Sequence, residues 1–201
     1  MRAVIEKAGS HANDYRSRIR SAIRGLWTGV IDRSQFLDIM GLTIDRSLRF
    51  AWAEGAKDCG ITPADYSPQE EQALRDAQAR EEMYVPQLAD AVEEGSKANK
   101  GKLTPLFQRS EAWILRYKDV VNRGRTMACG DKKYRWDLGP TEHCSTCAKL
   151  AGQVRRGSFW RTHVMPQMPP NEKLECQGWR WGCNLALTDE PVSRGRLPNL
   201  P

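Results

Sequence analysis

Histidine is scarce in this chain, with three in 201 residues. His11, His143 and His163 are too few and too scattered to build a histidine-rich nuclease centre. The patterns HExxH, GxSxG and the P-loop are all missing, which removes three familiar routes to hydrolytic or phosphoryl chemistry. A zinc deaminase would place H-x-E ahead of its cysteine pair, and nothing of that form precedes Cys144. No apolar run approaches the roughly 18 residues of a membrane span. The opening Met1-Arg2-Ala3-Val4-Ile5-Glu6-Lys7 is broken by charge too early for a secretory signal, so the protein is expected to stay in a cytoplasm. There is no internal repeat and no sustained heptad run. No enzyme, no membrane partner and no small-molecule substrate are expected on these grounds.

What is present is ordinary for a protein with a packed core: 40% hydrophobic and 28% charged residues. A chain of 201 residues suits one medium domain, or a helical domain with a small module attached. The net charge of +6 gives a moderate preference for a polyanionic neighbour.

Most of the chain reads as helix. Between Ser10 and Gly29 the residues Tyr15, Ile19, Ala22, Ile23 and Leu26 fall on one helical face. Arg16, Arg18, Arg20 and Arg24 lie among them and are read as a solvated face, although some can reach phosphate. Ser34 is the expected cap of a second helix in which Phe36, Met40, Ile44, Leu48 and Trp52 step by four as a buried stripe. Gly41 weakens that rod, while Gly55 and Gly60 offer stops. Cys59, near the stop, is read as a free thiol. Ser67-Pro68-Gln69-Glu70 is a capping-box start for a third helix, and Pro86 should interrupt it. The stretch Gly95 to Lys102 reads as a flexible loop. Thr104-Pro105 then starts a helix with Leu106, Phe107, Trp113, Ile114, Tyr117, Val120 and Val121 inward, ending near Gly124. Cys129 is left unassigned.

The chemistry-bearing stretch is Glu142 to Leu187. Cys144-Ser-Thr-Cys147 is a CxxC pair, and Cys176 and Cys183 form a wider one beyond a spacer, residues 148–175. Two close pairs joined by a loop are what a closed tetrahedral zinc site needs, because each pair sets two thiolates on one turn. Gly152, Gly157, Pro166, Pro169 and Pro170 let the spacer turn often. A structural zinc on Cys144, Cys147, Cys176 and Cys183 is the reading taken. Four buried cysteines without metal, or disulfides between the pairs, are the alternatives. His143 reads as a surface residue or as support behind the ligands. Trp160, Trp179 and Trp181 supply bulk to a piece too small for a normal core.

The run Trp136-Asp-Leu-Gly-Pro-Thr-Glu-His-Cys144-Ser-Thr-Cys147-Ala-Lys-Leu-Ala-Gly152-Gln-Val154 resembles the C-terminal part of tailed-phage minor head proteins, the Mu F-like head-morphogenesis family. Its continuation is Phe159-Trp160, the proline-rich Pro166 to Pro170, Leu174-Glu175-Cys176, and Cys183-Asn184-Leu185-Ala186-Leu187. The resemblance covers roughly the last third of the chain. A departure lies at Trp181-Gly182-Cys183, where many relatives carry Cys-Arg-Cys, often after His-Pro. The resemblance implies a virion structural protein on the portal or the inner capsid surface, assembled in a host cytoplasm and assisting head assembly and DNA packaging or delivery. Its implied partners are portal protein, major capsid protein and, non-specifically, packaged DNA. Some relatives carry a toxin or protease domain after this module, and none is expected here.

The expected architecture is therefore mainly α, with an α-helical region over 1–130, a small α+β zinc-binding module over 131–187 and a tail over 188–201 that is extended or disordered unless a partner orders it. A second function is weighed beside the first, that of a zinc-ribbon-like nucleic-acid-binding protein. Lys132-Lys133-Tyr134-Arg135-Trp136, Arg155-Arg156, Trp160 and Trp179-Arg180-Trp181 mix cations and aromatics as single-strand binders do. Packing of those tryptophans in the module's own core is the favoured reading of the same residues.

Overall fold

The computed structural model describes residues 2–139, 142–166, 170–179 and 183–201, with side chains from residue 11 onward. It is mainly helical, with a small antiparallel sheet near the C-terminus. Five helices come first: α1 (Arg2–Thr28), α2 (Arg33–Ala56), α3 (Pro68–Glu82), α4 (Val85–Glu94) and α5 (Leu103–Ala128). Then follow β1 (Lys133–Asp137), α6 (Ser145–Leu150), β2 (Val154–Arg156), α7 (Gly157–His163) and β3 (Asn184–Leu187). The chain forms two compact units. One comprises Met1–Ala51 with Ser67–Tyr117, the other Trp52–Tyr66 with Lys118–Pro201.

In the first unit the apolar faces anticipated from spacing are the buried ones. Tyr15, Ile19, Ala22, Ile23 and Leu26 of α1 are buried, and Phe36, Met40, Ile44 and Leu48 of α2 are each 0% exposed. The start of α2 differs from expectation. Asp32, not Ser34, caps it: the Asp32 side chain accepts from the Gln35 N–H at 2.8 Å, and the Gln35 side chain accepts from the Asp32 N–H at 3.0 Å. That reciprocal pair satisfies two donors that a helix start leaves open. The helix passes Gly41 without a break, and a methyl group there would meet open space. Ser67 and Glu70 close the capping box of α3, and Pro86 sits in the first turn of α4, where its missing N–H costs nothing. Spacing gave no hint that Glu81 and Arg116, both buried, pair at 3.1 Å. Either charge alone in that interior would be strongly destabilising.

The second unit begins with the ends of α2 and α5. Gly55 and Gly124 were expected as stops, but both lie inside helices. A Cβ on Gly55 would fall 2.0 Å from the Val121 carbonyl oxygen, and one on Gly124 would fall 2.6 Å from that of Trp52. These glycines let two backbones touch. The stops are the left-handed Gly60 and Gly130, just beyond. Cys59 is a second correction: it is no free thiol but is disulfide-bonded to Cys129, with Cα atoms 5.2 Å apart.

The sheet has the order β2-β1-β3, with both pairings antiparallel. Period-2 alternation sends Tyr134 and Trp136 of the central strand inward. They pack with Leu150, Trp160, Val164, Met165, Leu174 and Leu185 around the cysteines. Two of the polar handles there find carbonyls: the Tyr134 hydroxyl donates to Arg125 at 2.9 Å and the Trp160 indole N–H to Tyr134 at 2.9 Å.

The tail over 188–201 forms no helix or strand, and its own module fastens it without a partner. The Ser193 N–H donates to the Val154 carbonyl at 3.0 Å, and the Val154 N–H donates to the Ser193 hydroxyl at 2.9 Å. The buried Arg155 donates to the carbonyls of Ser193 and Gly195, and Leu197 and Leu200 pack against the core. An edge strand offers unpaired backbone groups, and β2 uses its own to hold this segment.

Candidate metal centre

The CxxC turn is built into the start of α6. Cys144 takes the cap position in extended conformation, and its sulfur accepts from the Cys147 N–H at 3.4 Å. A thiolate that caps a helix is held by N–H donors and is ready to bind a cation. Cys176 arrives from the other side of the spacer. Its neighbour Glu175 ties the two loops together, since the Glu175 carboxylate accepts from the Ser145 N–H at 2.9 Å and the Ser145 hydroxyl at 2.6 Å. The Glu175 N–H in turn donates to the Thr146 hydroxyl at 3.2 Å.

The result is a triad. The sulfurs of Cys144, Cys147 and Cys176 all lie within 4.8 Å of one another. Sulfurs around a tetrahedral zinc with 2.3 Å bonds stand about 3.8 Å apart, so a modest contraction brings these three within reach of one ion, while Cys183 stands outside the group. Cys183 enters at the head of β3, buried, beside Cys147 and with its sulfur 3.6 Å from His143 Nδ1. The other imidazole nitrogen, Nε2, lies 2.8 Å from the Gly139 carbonyl. That contact requires a proton on Nε2, because a carbonyl oxygen only accepts. Metal-site histidines are commonly arranged in this way.

Electrostatics of the thiols point to the same chemistry. Cys183 is lowered to about 6, chiefly by the hydrogen bond from the Cys147 thiol, with burial opposing and His143 and the Trp136 indole also lowering it. Cys147, which supplies that hydrogen bond and is buried, is pushed up. Burial raises Cys144, but the backbone N–H groups of Cys147 and Cys176 outweigh it, so the net direction is down. The thiols are thus pushed in opposite directions, because several buried thiolates would repel each other. A divalent cation relieves that repulsion and displaces the remaining protons. Soft sulfur donors at these separations fit zinc, which would act here as a cross-link between the α6 turn and the Glu175–Cys176 loop. The Trp136 indole N–H is buried without an oxygen or nitrogen acceptor and lowers Cys183, which makes it a donor to sulfur.

Sequence reasoning named the four cysteines but missed Glu175, Ser145 and Thr146. Their signal was local: a carboxylate directly before Cys176, and two hydroxyl residues inside the CxxC. Of the mixed cation–aromatic stretch, Tyr134, Trp136 and Trp160 are fully buried, whereas Trp179 is 48% exposed. Arg135 pairs with Asp137 and Glu190, and Lys133 donates to the carbonyls of Asp189 and Glu190. Pro140, Thr141, Pro169, Arg180, Trp181 and Gly182 lie outside the described residues. Comparison with protein-family models, curated proteins and solved structures finds no match.

Proposed function

We propose that this chain is a structural protein of tailed-phage heads, a minor head protein that associates with the portal or the inner capsid surface. In this reading its C-terminal module is closed by one structural zinc on Cys144, Cys147, Cys176 and Cys183. The observation that carries the proposal is the convergence of Cys144, Cys147 and Cys176, from the two ends of a long spacer, within the segment that resembles that family. The metal does no chemistry on a substrate. It fixes two loops that Glu175 already ties together, and the module then serves as a rigid surface for assembly. The protein assembles in a host cytoplasm and ends in the virion, with packaged DNA as a non-specific neighbour.

The zinc-ribbon-like nucleic-acid reading draws less support, because Tyr134, Trp136 and Trp160 are core residues and offer no face for a base to stack on. The deciding experiment sediments portal-containing head particles assembled with and without this chain. The proposal expects the protein at a fixed low copy number in those particles. Particles of normal composition that never retain it would contradict the proposal.

A further inference from the structure

Asn13, Arg16, Ser17, Arg20, Ser21 and Arg24 line a concavity of about 310 Å3 along α1. Its chemistry is one-sided: three guanidiniums, two hydroxyls and an amide, with no carboxylate in the lining. The arginines are also held in place. Glu111 bridges two of them, with Arg16 at 3.1 Å on one carboxylate oxygen and Arg20 at 2.9 Å on the other. The guanidiniums of Arg20 and Arg24 stand 5.3 and 5.9 Å from the centre of the Phe107 ring. Such bridges and ring contacts at a half-exposed surface contribute little to stability, but they reduce the freedom a guanidinium loses when it binds. One carboxylate against three cations leaves the groove with an excess of about two positive charges. Arg20 Nε has no acceptor among the described residues.

We propose that this groove binds the phosphodiester backbone of nucleic acid, independently of sequence. Its form argues for a strand over a single small anion. The arginines recur every four residues, so Arg16 to Arg24 spans about 12 Å of helix axis. That length matches three to four nucleotides of one strand at about 3.4 Å each. The cations form a row and do not converge on a point. Phosphate contacts of this kind position a strand without reading its bases. The inference does not depend on the head-protein reading, and its test needs no phage particle.

The experiment titrates a fluorescent mixed-sequence DNA duplex with the full chain over a salt series from about 50 to 200 mM. Arg24→Gln leaves the Glu111 bridges in place and removes one lining cation. Arg18→Gln makes the same change in net charge at a residue that pairs with Asp14 outside the groove. Circular dichroism establishes that both variants fold. The expected result is measurable duplex binding in the parent. Its log affinity against log salt should lose about 0.9 of slope in Arg24→Gln and keep its slope in Arg18→Gln. Arg20→Gln/Arg24→Gln should lose about twice as much. Equal losses in the Arg18 and Arg24 variants would mean bulk charge alone and would overturn the site. Binding of tripolyphosphate without duplex binding would overturn the nucleic-acid assignment, and so would no duplex binding at the lowest salt.

Discussion

Glu175 shows how one side chain can set the competence of a site it does not ligate. Its carboxylate fastens the Ser145 turn while its own N–H meets Thr146, so the loop carrying Cys176 is registered against the loop carrying Cys144 and Cys147. Loss of such supporting contacts typically costs 10–100-fold in metal affinity. Glu175→Ala should therefore weaken zinc binding by about that factor in competition with a chromophoric chelator. An unchanged affinity would mean that the loops find their register without it. Tyrosine gives a residue-scale test of a different kind. Burial pushes Tyr134 up to about 12, and burial followed by the Glu81 charge raises Tyr15 as well. The folded state favours both neutral phenols, so the stability they contribute is complete below pH 10 and declines as pH rises toward 12. Tyrosinate absorbance from these two should appear together with the loss of helical circular dichroism in an alkaline titration. Phenolate signal from all five tyrosines ahead of unfolding would contradict their burial.

At the scale of elements, spacing and the Ser67 cap were legible, whereas the cap of α2 lay two residues from the expected Ser34 and the crossings were not legible. The four-residue stripe of α2 and the Ser67–Glu70 box state their own structure, because helix periodicity and end chemistry are local. Gly55 and Gly124 read as stops for the same local reason. Only the approach of the two chain segments shows that each makes room for the other's backbone. A pair of substitutions separates the two roles of glycine. Gly55→Ala puts a methyl against a carbonyl and should cost several kcal/mol, since the neighbour is backbone and cannot rotate away. Gly41→Ala enters open space in a helix interior and should stabilise by up to about 1 kcal/mol. Urea midpoints that move together would refute the distinction. Cys59 and Cys129 were equally unreadable, being 70 residues apart in sequence and brought together only by the ends of α2 and α5. A cross-link over that span restricts the unfolded chain by about 4 kcal/mol in the chain-entropy model. Cys59→Ser should lower the unfolding free energy by an amount of that order or less. A variant as stable as the parent under non-reducing conditions would show that the bond contributes nothing.

For the whole molecule, the candidate site was readable where its donors are grouped and hidden where they are supported. CxxC is a local pattern, so Cys144 and Cys147 declared themselves. Cys176 joins them as pairing suggested, but Cys183 stands outside that group, and its placement beside His143 and Trp136 depends on the sheet. The docking of the tail was unreadable for a similar reason, because it requires the exposed edge of β2 and the buried Arg155. The two compact units give the account a further consequence. Cys144→Ser should melt the sheet-containing unit while most of the helical signal of α1, α3 and α4 persists by circular dichroism. Native mass spectrometry of the purified chain, with and without a strong chelator, tests the central claim most directly. The account predicts one zinc per chain, lost with the chelator along with protection of Cys144, Cys147, Cys176 and Cys183 from alkylation. A metal-free mass after incubation with zinc, with those four thiols alkylated as readily as before, would contradict it.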